Sequence, residues 1–139
     1  MDQEAKTAGG CMCGAVRFDA TGEPLHIGYC HCRSYRHHTG APVAAMLVFK
    51  PDKVKFTAGE RRIYNSSPGI ERGFCGQCGT PLTWEGHGLI SLQIGTLDDP
   101  DEHAPTLHWR YEERIPWCDV ASGLPCVKMV FPDSSVTPT

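Results

Sequence analysis

The sequence predicts a mainly β domain of short antiparallel strands with a single short helix. Three observations predict it: the density of turn formers, a series of short alternating apolar patterns, and the near absence of a helical period. Of 139 residues, 15 are glycine and 11 are proline, which favours frequent chain reversals over long helices. Val16 and Phe18 alternate with Arg17 and Asp19, and Leu25 and Ile27 with His26 and Gly28. Val54 and Phe56 alternate with Lys53, Lys55 and Thr57, and Ile90, Leu92 and Ile94 with Ser91 and Gln93. A period of two puts each apolar set on one face of a half-buried strand. The run from Val43 to Phe49 is apolar throughout and reads as a strand covered on both faces. Ser67-Pro68-Gly69 and Glu85-Gly86-His87-Gly88 supply turns between strands. Arg33 to Thr39, closed by Gly40, is the one short helix, with glycine in the C-terminal capping place. Residues 1–9 and the tail from Pro132 are polar and are expected to be unanchored. One domain over residues 1–139 follows, with an ordered core at about 9–131.

Composition removes several classes of function. A net charge of −3 and a pI near 6.1 give no electrostatic footprint for nucleic acid. The longest apolar run, Ala41 to Phe49, is half of the roughly 18 residues that a membrane-spanning helix needs. The first eight residues carry two acids and no apolar stretch, unlike a secretory signal, so a cytoplasmic location is expected. The eight cysteines then sit in a reducing compartment, where closely spaced thiols bind metal or do redox chemistry more often than they form disulfides.

Their spacing is specific. Cys75-Gly76-Gln77-Cys78-Gly79 is a C-x-x-C knuckle, and Cys11-Met12-Cys13-Gly14 is a C-x-C pair whose sulfurs, in an extended segment, share one face. Tetrahedral zinc, with Zn–S of about 2.3 Å, sets sulfur–sulfur edges of about 3.8 Å that both pairs can meet. One structural zinc on Cys11, Cys13, Cys75 and Cys78 is the expectation. Cys118 and Cys126 lack ligand spacing and read as packing cysteines. Trp84, Trp109 and Trp117 read as core or groove-wall residues.

Cys30-His31-Cys32 repeats the C-x-C geometry, with His31 turned away from the sulfurs. Here the chain resembles the GFA family, named for glutathione-dependent formaldehyde-activating enzyme, which includes the centromere protein V domain. The resemblance spans about residues 9–127. It rests on Gly10-Cys11-Met12-Cys13-Gly14-Ala15-Val16, on Cys30-His31-Cys32 with Arg36 and Gly40, and on Phe74-Cys75-Gly76-Gln77-Cys78-Gly79-Thr80. Gly95-Thr96-Leu97-Asp98 and Ile115-Pro116-Trp117 extend it. It implies an all-β fold called a β-tent. It also implies a structural zinc on the four cysteines above, and a carbon–sulfur lyase acting on a glutathione-like thiol and a small aldehyde. The family's second motif, C-H-C-x-x-C-R, implies a catalytic zinc held by three cysteines. This chain departs at the third, where Tyr35 stands. A tyrosine ligates as phenolate, against a reference pKa of about 10. Cys30 and Cys32 alone leave the second zinc site incomplete, with His38, one helical turn beyond Tyr35, able to share its face. Occupancy nearer one zinc per chain than two is expected. Arg36, Tyr35 and His38 are candidate substrate-binding residues, and the basic cluster Arg33, Arg36, His37 and His38 either docks ligand carboxylates or is a solvated helix face. The alternative function is a non-catalytic, zinc-stapled module that binds a ligand or partner. Substrate and oligomeric state are not legible.

Overall fold

The computed structural model describes residues 5–127; the expectations for residues 128–131 and for the tail lie outside them. Two sheets form. In the smaller, β1 (Lys6–Gly10), β2 (Arg17–Thr21) and β5 (Val54–Ala58) pair antiparallel in that order. The larger begins with β11 (Cys126–Val127), β10 (Leu107–Trp109), β3 (His26–Cys30) and β4 (Ala44–Phe49). It continues with β9 (Leu89–Gln93), β8 (Pro81–Gly86), β7 (Ile70–Cys75) and β6 (Arg61–Ser67). The expected antiparallel pairing holds except at β10, which runs parallel to both β3 and β11. The mainly β class, and the single α-helix among the described residues, are as the sequence predicts.

β4 shows why its sequence is apolar throughout. Leu47 and Phe49 point into the space between the two sheets, where they meet Phe18 and Ala20 of the small sheet, Val16 just before it, and Leu82, Ile90 and Leu92 of the large one. Ala44, Met46 and Val48 point to the opposite face, against Cys30, Tyr35, Leu89 and Trp109. Each fully buried side chain of this size contributes about 1.5–3 kcal/mol relative to exposure. β9 is likewise covered on both faces, not half-buried as its alternation suggests: every residue from Leu89 to Gln93 is buried. The polar residues of its alternation, Ser91 above all, face a second cluster rather than water. Ile94 leaves the strand and begins a 3₁₀ turn.

β1 corrects the expectation of an unanchored start from Lys6 onward; residues 1–4 of that stretch lie outside the described residues. Its backbone pairs along all of β2, and Gly9 and Leu97 form a bridge to the segment after β9. Gly9 allows the approach: a Cβ there would stand 2.5 Å from the Thr96 carbonyl oxygen and 2.7 Å from the Phe18 ring. In β3 the buried positions are Gly28 and Cys30, not the apolar side chains, because Trp109 and Leu107 of β10 lie over Gly28.

The helix α1 (Arg33–Thr39) has the predicted bounds. Cys32 caps its start, its Sγ accepting the Tyr35 N–H at 3.3 Å. Gly40, at φ 71°, ends it in the left-handed region, which glycine enters without a Cβ penalty. No helix among the described residues is long and apolar enough to cross a membrane.

Candidate metal centre and the adjoining cavity

Two hairpins bring four cysteines together. The β1–β2 connection carries Cys11 and Cys13. The β7–β8 connection carries Cys75, the last residue of β7, and Cys78. Their sulfurs all lie within 4.8 Å of one another; Cys11–Cys13 is 3.6 Å and Cys13–Cys75 is 3.8 Å. These are close to the edge of about 3.8 Å of a tetrahedral thiolate site, so the residues present fit a metal ion. Cys11 and Cys13 reach this geometry from a turn, not the extended segment the sequence suggested: the Gly14 N–H donates to the Cys11 carbonyl at 3.1 Å, with Gly14 at φ 81°. Backbone N–H groups of Val16, Gln77 and Cys78 point at Cys11 or Cys75 sulfurs at 3.3–3.4 Å. The Thr80 hydroxyl lies 3.1 Å from Cys78 Sγ and, with backbone N–H groups, pulls that thiol down to about 5. Such donors favour thiolates, the form that binds metal.

Cys30 and Cys32 stand elsewhere, at the end of β3 and the start of α1, and open onto a cavity of about 330 Å³. Hydrogen bonding between the two thiols holds Cys32 down, at about 6, and drives Cys30 well above its ordinary range. Met46, Val48, Ile70, Trp84 and Trp109 give the cavity an apolar wall. Its charged lining is three arginines, Arg33, Arg72 and Arg110, against one carboxylate, Glu113. Glu113 is already engaged: it accepts the Arg33 backbone N–H at 3.1 Å and lies 3.7 Å from Arg110.

Tyr35 fills the third-cysteine position of the motif without serving as a ligand. It is buried, and its hydroxyl bonds to Ser91 Oγ at 2.9 Å. Burial raises its pKa, so phenolate is strongly disfavoured. Among the described residues no third Cys, His, Asp or Glu joins Cys30 and Cys32 to make a metal-holding group; the four-cysteine cluster alone meets that condition. The residues present therefore do not fit a three-thiolate zinc site.

A family model described as glutathione-dependent formaldehyde-activating enzyme, GFA, matches residues 6–113. The chain belongs to this family. A crystal structure of a Rhodobacter sphaeroides protein has a similar fold, at 22% identity and a TM-score of 0.54, covering 66% of this chain and 87% of that one. The comparison with curated proteins found no match. The GFA matched segment contains both cysteine clusters, α1 and the cavity.

Of the sequence-predicted residues in this GFA domain, Cys11, Cys13, Cys75 and Cys78 come together, and Cys30, Cys32 and Tyr35 share one cavity. Arg36 and His38 are not part of that cavity's lining. Arg36 Nε donates to the His31 carbonyl at 3.4 Å and borders a separate shallow groove with Trp117. Both His38 ring nitrogens are buried without a hydrogen-bond partner, and burial, then the Arg72 charge, lowers its pKa. Cys118 is buried, as a packing cysteine should be, whereas Cys126 is exposed on the edge strand β11. Trp109 is core, Trp84 lines the cavity, and Trp117, 73% exposed, lines the shallow groove beside Arg36.

Two features escaped the sequence reading. His31 and His108 are both fully buried and hydrogen-bonded to each other at 2.8 Å, which ties the C-x-C segment to β10. Arg72 is 6% exposed and looks into the cavity. Neither has a local signal, because each depends on a strand partner far along the chain.

Proposed function

We propose that the chain reversibly cleaves the carbon–sulfur bond in adducts of a glutathione-like thiol with a small aldehyde. The cavity at Cys30 and Cys32 is the site, and zinc in the four-cysteine centre is a structural staple. Family membership supports the reaction class. A soft, four-thiolate donor set of tetrahedral size supports zinc. In the adding direction, thiol sulfur bonds to carbonyl carbon and the thiol proton passes to the oxygen. The reverse breaks that same bond, and no oxidant or reductant enters. The observation that carries the reading is the cavity itself: it joins the family's C-x-C pair to an apolar wall and an excess of arginines. The proposed contacts thus shift from Arg36 and His38 to the cavity residues, with Tyr35 as part of the wall. A cytoplasmic location belongs to this proposal, since free thiols persist in reducing compartments.

The second reading, a non-catalytic binding module, is favoured by Tyr35, whose hydroxyl is committed to Ser91 and leaves two sulfurs where zinc catalysis uses three ligands. The test is an assay with glutathione and a series of aldehydes, with and without added zinc. Turnover that Cys32→Ser abolishes at unchanged circular dichroism supports the lyase. No turnover with any aldehyde, at full folding, selects the binding module.

A further inference from the structure

Arg72 is a buried cation with no carboxylate counter-ion among the described residues, although its charge acts on the Cys32 thiol in the same cavity. It lies on β7, between Tyr64 and Trp84 of the neighbouring strands, and is only 6% exposed. Its Nε donates to Ser66 Oγ at 3.0 Å, and its guanidinium lies 4.7 Å from the centre of the Tyr35 ring. Nη1 is buried with no hydrogen-bond partner. No described carboxylate forms an ion pair with it: the nearby acids are committed elsewhere, Glu85 to Arg61 and Glu113 to Arg110 and the Arg33 N–H. Burying a guanidinium is costly unless an anion and hydrogen bonds complete it, and arginines this buried are normally paired. The contact with the Tyr35 ring is the weaker kind of compensation.

We propose that Arg72 is an anion receptor: the cavity takes a small ligand whose carboxylate pairs with the Arg72 guanidinium while its apolar part lies against Trp84, Ile70 and Met46. The planar, two-pronged guanidinium suits a carboxylate, and the serine hydroxyls of Ser66 and Ser67 line the same region. The inference names the ligand chemistry of the site proposed above and shares its cavity, but it concerns binding alone. The carboxylate has two possible sources, the thiol, as in glutathione, or the aldehyde, as in an oxo acid.

The test is equilibrium binding by calorimetry and tryptophan fluorescence, at low salt and without aldehyde turnover. Benzoate and glyoxylate probe an anionic aldehyde-side group, with benzamide as the uncharged match for benzoate. N-acetyl-S-methylglutathione, with its diethyl ester as the uncharged match, probes the thiol side. At least one carboxylate should bind ten times or more tighter than its neutral match, and Arg72→Met should remove that difference. Arg72→Lys should restore part of it. Whichever pair shows the preference identifies the source. Because Arg72→Met can fail to fold, the comparison within the unmodified protein stands as an independent criterion. Equal binding of each carboxylate and its neutral match, no binding of any probe at tens of millimolar, or a preference unchanged in a folded Arg72→Met would overturn the inference. A lyase that shows no carboxylate preference would sink this proposal and leave the functional reading intact; carboxylate binding without turnover would do the reverse.

Discussion

Removing the Tyr35 hydroxyl tests whether this residue is a wall or a ligand. Tyr35 and Ser91 are both buried, at 5% and 3% exposure, and their hydroxyls are 2.9 Å apart. Tyr35→Phe keeps the ring, its contact with Arg72 and nearly all its volume. It leaves Ser91 Oγ buried without this partner. An orphaned buried hydroxyl costs about 1–3 kcal/mol, and removing both partners together is nearly neutral. Tyr35→Phe and Ser91→Ala should each lower stability by about 1–2 kcal/mol, and the double variant should lose much less than their sum. At this chain length each single variant should melt about 3–6 °C lower. Urea unfolding of the four proteins supplies the cycle. Zinc content should be the same in all four. Additive losses would refute the hydrogen bond as an energetic unit, and a drop in zinc in Tyr35→Phe would show that the phenol is a metal ligand.

Gly28→Val should destabilise the chain by about 1–3 kcal/mol in urea unfolding, because its Cβ would meet Leu107 Cδ1 at 2.5 Å and the Trp109 ring at 2.7 Å; unchanged stability would mean that β10 does not lie over β3 as described. His31 is held down to about 4, first by burial, then by the charges of His108 and Arg114, with Glu112 opposing. The folded chain therefore binds this proton more weakly than the unfolded chain, whose histidine titrates near 6.5. The stabilisation from neutral His31 should be complete above pH 6.5 and fade as pH drops toward 4. An NMR titration of the His31 ring near 6.5 in the folded protein would contradict this. Replacing both Cys118 and Cys126 with Ala should leave the metal content unchanged by mass spectrometry, since neither belongs to the sulfur cluster; loss of a full equivalent would reassign them.

Local patterns revealed whatever local physics decides. The helix bounds were legible because Gly40 can take φ 71° and stop the turn there. The β4 run was legible because a strand covered on both faces has no polar side to show. The four-cysteine centre was legible because two short spacings suffice to put sulfurs in pairs, although the turn at Cys11–Cys13 was not. What stayed hidden depends on distant partners. Lys6–Gly10 looks too polar for a strand, yet backbone pairing to β2 and the close approach at Gly9 hold it. Ser91 looks like a solvent-facing position of a half-buried strand until Tyr35 is placed over it. Arg72 carries no signal in its local sequence, and only the pairing of β6, β7 and β8 and the position of α1 turn it inward. Cys30 and Cys32 announced their family motif, but the chemistry that Tyr35 leaves them required its side-chain direction.

The proposed metal on Cys11, Cys13, Cys75 and Cys78 joins the two sheets, while among the described residues Cys30 and Cys32 do not form a second all-protein site. Elemental mass spectrometry of the purified chain, free of glutathione, tests it most directly, alongside Cys75→Ser and the Cys30→Ser, Cys32→Ser double variant. One equivalent of zinc is expected in the unmodified chain, retained in the double variant and lost with the fold in Cys75→Ser. A well-folded chain without metal, or two equivalents of which one disappears with Cys30 and Cys32, would contradict it.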